Sequence, residues 1–154
     1  MALWYQTAEG ARTMIYIFDI DGVLADDSQT KHLDCTDPAQ RAEFNALVPS
    51  LAPKRQTLRV LKNLATRGKI YLFTARSAGI RVLTQNWLYD HKVPHEDLYM
   101  RPFGNDDKDE VLKKKMLFEL ATQTGAEPSE IVAFDDKPQV RAMYERWGVC
   151  AWNF

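Results

Sequence analysis

Cysteine is nearly absent, with Cys35 and Cys150 the only two in 154 residues. Two thiols so far apart, without a neighbouring histidine cluster, supply neither a disulfide framework nor a zinc site, and both read as small buried residues. Histidine is scarce too, and His32, His91 and His95 lack ligand spacing. Long apolar runs are missing. Met14–Phe18 and Ile131–Phe134 are far too short to cross a bilayer, and the polar start lacks a signal-peptide stretch, so a cytoplasmic location without membrane contact is expected. Charge of one sign does not dominate either: a formal net charge of -1 sets up no long-range field toward nucleic acid or membrane, and any polyanion must be held locally. No repeat, low-complexity segment or Pro/Gly-rich linker divides the chain, so one domain over 1–154 with one active site is expected.

What is present is an alternation. Short runs rich in Ile, Val, Phe and Tyr at Met14–Phe18, 70–73, 98–100, Ile131–Phe134 and 149–152 read as strands, and helix-length amphipathic stretches separate them. That is the pattern of an α/β fold, a mainly parallel five-stranded sheet wrapped by helices. The stretch 54–67 carries Leu58, Leu61 and Leu64 at helical spacing with Gly68 as its stop; 80–91 follows a Ser77 cap; 108–124 and 138–147 complete the set, the last ending at Gly148. The segment 24–53 breaks the rhythm with one helix over Pro38–Leu47, and looks like a small cap-like insert. The first dozen residues show no clear period.

Open α/β sheets bind ligands beyond the carboxyl ends of their strands. The first strand runs into Phe18-Asp19-Ile20-Asp21-Gly22-Val23, two carboxylates two residues apart with a glycine that permits a sharp departure. A pair of acids suits two jobs: Asp19 as a nucleophile toward phosphorus, Asp21 as the acid that protonates the leaving oxygen and then deprotonates water. Asp-x-Asp-Gly also occurs in turns and calcium loops, so its position after a strand matters. The second strand ends at Thr74-Ala75-Arg76, a hydroxyl and a guanidinium suited to phosphate oxygens, though a helix-entry Thr and a surface Arg are the bland reading. The fourth ends at Asp135-Asp136-Lys137-Pro138. One acid there could be an N-cap, yet together with Asp19 and Asp21 the pair supplies a cradle for Mg²⁺, Asp136 binding directly and Asp135 orienting a water or backbone group.

Lys113, Lys114 and Lys115 look like a solvated charge run. At about 100° per residue, however, Leu112, Met116 and Leu120 define a buried stripe with Lys113 on its edge, while Lys114 and Lys115 point away. Asp109 lies four residues before Lys113 on the same stripe, so the spacing predicts an inward ion pair between them beside the site.

Asp19-Ile20-Asp21-Gly22, Thr74, Lys113 and Asp135-Asp136 stand in the order of the haloacid dehalogenase-like hydrolase superfamily, which the chain resembles. The resemblance implies a Rossmann-like three-layer sandwich, Mg²⁺ as cofactor, and roles as nucleophile, acid/base, phosphate-binding hydroxyl, charge-neutralising lysine and metal carboxylates. Within the superfamily the chain resembles the 3′-phosphatase half of phage-type polynucleotide kinase-phosphatases, through those motifs, Tyr99-Met100-Arg101, Lys108-Asp109-Glu110-Val111 and Ala133 to Val140. That likeness implies activity-determining roles for Arg76 and Asp109. Val23 stands where the family commonly has Thr, and Lys31 is the nearest cation to an arginine the family carries after its first motif. The chain has no Gly-x-x-x-x-Gly-Lys-Ser/Thr loop, so the kinase activity is expected to be absent or to reside on another polypeptide, and a separate kinase or ligase polypeptide is the partner the resemblance implies.

An insert of roughly thirty residues is too short for a full lid, and open strand ends admit large substrates. The expected substrate is a 3′-phosphorylated DNA or RNA end, with Arg76, Lys31 and Arg101 on the adjoining phosphate. The alternatives are a small-molecule phosphatase such as a nucleotidase and a non-catalytic phosphate-binding module. Arg55, Arg59 and Lys62 read as the outer face of a helix, and Trp4, Trp87, Trp147 and Trp152 as packing residues.

Overall fold

The computed structural model describes residues 12–154. The expectations for residues 1–11, Trp4 among them, fall outside that range. Five strands, β1 (Met14–Phe18), β2 (Gly68–Ser77), β3 (Asp97–Arg101), β4 (Ile131–Phe134) and β5 (Cys150–Trp152), form one sheet in the order β3-β2-β1-β4-β5, with every neighbouring pair parallel. Five helices cover it: α1 (Pro38–Leu47), α2 (Arg55–Leu64), α3 (Arg81–Asp90), α4 (Asp109–Thr124) and α5 (Pro138–Arg146).

Both faces are buried because alternate side chains of a strand point to opposite sides. Phe18, Ile70, Leu72, Leu98 and Met100 pack with Leu61, Trp87 and Leu88 on one face. Ile15, Ile17, Tyr71, Phe73 and Ala133 pack with Leu112, Met116, Leu120, Val140 and Tyr144 on the other. The result is the three-layer Rossmann-like sandwich. The chain works outward from β1 in both directions, through β2 to β3 and through β4 to β5, so the strand order reverses between β1 and β4. Such a reversal opens a crevice at the carboxyl ends of those two strands.

Several sequence expectations are corrected. Strand β2 runs on to Ser77 instead of ending at Phe73, carried past a register shift against β3 between Thr74 and Ser77. Thr74 and Arg76 therefore lie within the strand, both buried. Helix α2 ends at Leu64, and Gly68 opens β2. A Cβ at Gly68 would lie 2.3 Å from the Met14 carbonyl oxygen, so close backbone approach demands the glycine. Cys35 and Cys150 are both exposed. Cys35 sits in a polar turn of the insert, and on the short edge strand β5 the neighbouring Val149 takes the core position. Trp87 is buried as expected, but Trp147 and Trp152 are 45% and 59% exposed.

The insert is laced shut at its base. Ala25 bridges Asp21 and Pro53, the Asp26 N–H donates to Ala52 O at 2.8 Å, and the Lys54 N–H donates to Leu24 O at 2.7 Å. Val48 and Leu51 are buried there, and the Trp87 indole N–H donates to Leu51 O at 2.8 Å. Beyond that base, α1 buries none of its residues and starts at Asp37, whose carboxylate accepts the Ala39 N–H at 2.8 Å.

Candidate active site

The β1–β4 crevice is where the acids converge. The Asp19 N–H donates to Phe134 O and the Asp135 N–H to Trp152 O, both at 3.0 Å, so each ladder extends one residue past its strand and fixes the direction of the acid. After Asp19 the backbone turns tightly, with Ile20 O accepting the N–H groups of Val23, Leu24 and Ala25. Gly22 makes the turn at φ +85°, and a Cβ there would lie 2.3 Å from Asp136 Oδ2. The loop after β4 is pinned from behind by Arg141, which donates to the carbonyls of Asp135 at 2.9 Å and Asp136 at 2.7 Å.

Carboxylate oxygens of Asp19, Asp135 and Asp136 all lie within 4.8 Å of one another. Between them stands Lys113, its side chain 1% exposed, 3.0 Å from Asp19 Oδ1 and 2.5 Å from Asp135 Oδ2. The second oxygen of Asp135 accepts the Lys137 N–H at 3.0 Å, so both of its oxygens are engaged. Asp136 Oδ1 is the opposite case: buried, and without a hydrogen-bond partner among the described residues. An orphaned carboxylate oxygen beside two further carboxylates fits a hard divalent cation such as Mg²⁺, which takes one or two carboxylates and completes its shell with water and phosphate oxygens.

Burial pushes Asp19 well above the usual carboxylate range; Lys113 pulls it partly back, while Asp135 and Asp21 push it further up. Burial and the Asp135 charge raise Asp136 as well. Burial alone would lower Lys113, but Asp19 and Asp135 outweigh it and hold the ammonium charged. The Tyr144 phenol packed nearby is pushed up by burial and stays protonated.

Asp21 sits apart from this cluster. Arg76 grips it with both arms, Nε to Oδ2 at 2.8 Å and Nη2 to Oδ1 at 2.7 Å, and a third donor reaches the Thr84 hydroxyl at 3.4 Å. The Phe44 ring of α1 lies 5.8 Å from the guanidinium carbon. Thr74 is fully buried, its hydroxyl accepting the Arg76 N–H at 3.2 Å.

A family model described as the polynucleotide kinase PNKP phosphatase domain matches residues 13–154. The chain belongs to this family. As a PNKP-type phosphatase domain it shares the haloacid dehalogenase-like hydrolase fold with solved structures. It is similar to a chain of the Pnkp1/Rnl/Hen1 RNA repair complex, with 21% identity and a TM-score of 0.72, covering 94% of this chain and 43% of that one. A haloacid dehalogenase-like hydrolase of Streptococcus pneumoniae superposes with a TM-score of 0.68 at 12% identity, over 90% of this chain and 83% of that one. A HAD family enzyme of Bacteroides thetaiotaomicron, in complex with magnesium and inorganic phosphate, gives 0.61 at 14% identity, over 92% and 94%. The chain thus spans less than half the length of the first of these. No curated protein sequence matches it.

The remaining expected site residues of this PNKP-type domain divide. Asp109 does not pair with Lys113. It accepts from Arg101 at 2.8 Å and from the Lys137 ammonium, because Lys113 reaches across to β1 and β4 instead of back along its own helix. Burial would raise Asp109, but Lys137, Lys113 and Arg101 together carry it below the usual range. Arg101 is not free for a phosphate: its fork is spent on Ala75 O, Asn105, Asp107 O and Asp109. Arg76 is likewise committed to Asp21, and Lys31 lies exposed in the first turn of the insert. Asp21, expected among the metal carboxylates, is not in the cluster because both its oxygens face Arg76. Sequence reasoning missed Lys54, whose ammonium donates to Gly22 O at 3.0 Å, and Phe44; neither contact carries a local signal, as Lys54 and Gly22 stand 32 residues apart. Among the described residues, no helix is long and apolar enough to cross a membrane.

Proposed function

We propose that this protein is a magnesium-dependent phosphomonoesterase that removes 3′-phosphate from DNA or RNA ends through an aspartyl phosphate on Asp19. The observation that carries the reading is the junction of Asp19, Asp135 and Asp136 around the buried Lys113. The Asp19 carboxylate attacks phosphorus, the bond to the sugar oxygen breaks, and Asp21 supplies the proton to the departing alcohol. Asp21 then takes a proton from water as that water attacks the phosphoryl group, the bond to Asp19 breaks, and inorganic phosphate leaves. Asp19 and Asp136 would hold Mg²⁺, which would supply positive charge against the phosphate oxygens. Lys113 adds a buried positive charge and locks the Asp19 rotamer; Asp135 holds Lys113; Thr74 offers a hydroxyl at the same strand ends. Arg76 fixes the orientation of Asp21, and Asp109 braces Arg101 and Lys137 around the rim.

The family description and the RNA repair complex among the similar structures support a polynucleotide substrate and a separate kinase or ligase polypeptide as partner. An insert whose single helix has no fully buried residue, and so forms no closed lid, supports the same reading. A small-molecule phosphatase such as a nucleotidase is the second reading, favoured by Phe44, which covers part of the approach over Arg76. Phosphate release from a 3′-phosphorylated oligonucleotide with Mg²⁺, abolished by EDTA, is the expected result. Release from free mononucleotides with none from the oligonucleotide would overturn it in favour of the second reading.

A further inference from the structure

The insert carries a further acid to the cation site, one that the cluster of Asp19, Asp135 and Asp136 does not include. A Cβ at Gly22 would lie 2.3 Å from Asp136 Oδ2 and 3.2 Å from Asp27 Oδ2, so these two carboxylates face each other across the bare backbone of the turn after Asp19. Burial raises Asp136 most, and the charges of Asp135 and Asp27 add to it. Two acids so placed repel each other unless a cation joins them. The turn itself does not need the Asp27 carboxylate. It is capped by the neighbouring Asp26, whose side chain accepts the Ser28 N–H at 2.9 Å. Asp27 contributes its carbonyl instead, which accepts the N–H groups of Thr30 at 2.9 Å and Lys31 at 2.8 Å and the buried Thr30 hydroxyl at 3.3 Å. With the Asp26 N–H on Ala52 O at 2.8 Å, the chain on both sides of Asp27 is tied down, and the fold delivers its side chain to Asp136. No ion pair offsets the Asp27 charge among the described residues, and the Lys54 ammonium beside the turn donates to Gly22 O at 3.0 Å.

Asp136 also holds the buried oxygen, Oδ1, that has no hydrogen-bond partner among the described residues. Asp27 stands outside the three acids whose oxygens all lie within 4.8 Å of one another, so it faces the surroundings of a cation bound there and not the cation itself. Mg²⁺ gives up water reluctantly and keeps several waters when one or two carboxylates bind it. We infer that Asp27 is an outer carboxylate of the Mg²⁺ site, accepting hydrogen bonds from the water shell of a cation held by Asp19 and Asp136, and that it ties the first turn of the insert to that site. The inference rests on the magnesium reading and extends the site into the insert. Repulsion between Asp27 and Asp136 is relieved when the site is filled, and the turn over 27–31 is then held more firmly.

Calorimetric titration of the metal-free protein with MgCl₂, without substrate, provides the test. Asp27→Asn and Asp27→Ala are each expected to raise the Kd for Mg²⁺ about tenfold, the scale of losing a group that orients bound water. Without metal both should melt at the wild-type temperature or slightly above it, which reports that the fold holds. Asp26→Asn keeps an oxygen for the Ser28 N–H and removes an exposed, screened charge next door, so its Kd should stay within about twofold of wild type. Trypsin reads the tie to the insert: cleavage after the exposed Lys31 should slow about threefold when wild type is saturated with MgCl₂, and should not slow in Asp27→Asn at its own saturating concentration. If Asp27→Asn binds Mg²⁺ as wild type does, or if Asp26→Asn loses as much affinity, Asp27 is no part of the site. If Mg²⁺ leaves wild-type cleavage unchanged, the tie to the insert is refuted. If wild type takes up no Mg²⁺ at all, the magnesium reading itself fails.

Discussion

Arg76 holds Asp21 by both carboxylate oxygens, from a side chain only 1% exposed to one 25% exposed. The paired fork sets the angle at which Asp21 meets the crevice. Arg76→Ala leaves a gap where the buried guanidinium was and the Asp21 carboxylate without its fork, so it should cost about 2 kcal/mol of stability and lower kcat by about a hundredfold. Arg76→Lys keeps the charge but loses the two-point grip, and should recover most of the stability and little of the rate. Urea titration read alongside phosphate release separates the two effects.

Gly22→Ala tests the turn that lets Asp136 approach. Its Cβ would come 2.3 Å from Asp136 Oδ2, at a φ of +85° that alanine disfavours. The carboxylate must move away. Expected are a loss of about 1–3 kcal/mol and a rise of about tenfold or more in the Mg²⁺ concentration needed for half-maximal rate. An unchanged metal requirement would disconnect the glycine from the cation.

Cation binding should grow with pH. Asp19 and Asp136 are raised in the fold, so the stability they contribute without metal is fully present below their unfolded value of about 4 and is lost as pH rises through their folded values. A cation binds the ionised forms and displaces those protons. The gain in Tm on adding MgCl₂ should therefore be larger at pH 8 than at pH 5, as thermal melts at the two pH values will show. Asp136→Asn should abolish the difference.

Asp109 has the opposite sign. Its folded value is lowered, so its contribution is fully present above the unfolded value of about 4 and disappears as pH falls through the folded value. Asp109→Asn should destabilise by about 2 kcal/mol at neutral pH, the scale of hydrogen bonds to a charged group, and match wild type once Asp109 is protonated in both states. Urea titrations at neutral pH and in acid measure this.

What could be read from the sequence alone follows from how far each interaction reaches. Strands β1 and β4 and helix α1 have the bounds that the apolar and capping patterns predict, because those signals lie within a few residues. The acids at Asp19 and Asp135 were legible as strand ends, and Lys113 as inward-facing from helical geometry. Its partner was not, since an i to i+4 rule points to Asp109, whereas the sheet order brings Asp19 and Asp135 to the ammonium from strands far away in the chain. Arg101 looked free for a different reason: Asn105, Asp107 and Asp109 stand within eight residues of it, but the loop that folds them back onto the guanidinium has no period to read, and only Ala75 lies far off on β2. The length of β2 was hidden by Thr74 and Arg76, polar residues that signal an end in a sequence but here are buried within the strand.

The hydrogen-bonded neck joining Asp26 to Ala52 and Lys54 to Leu24 has one more consequence. Chain departing from the sheet returns to almost the same spot, so the exposed tip of the insert projects from the scaffold while Val48 and Leu51 at its base belong to the core. Changing the length of the exposed tip, with Phe44, Val48 and Leu51 kept in place, should alter the approach to the crevice and leave the acids where they are.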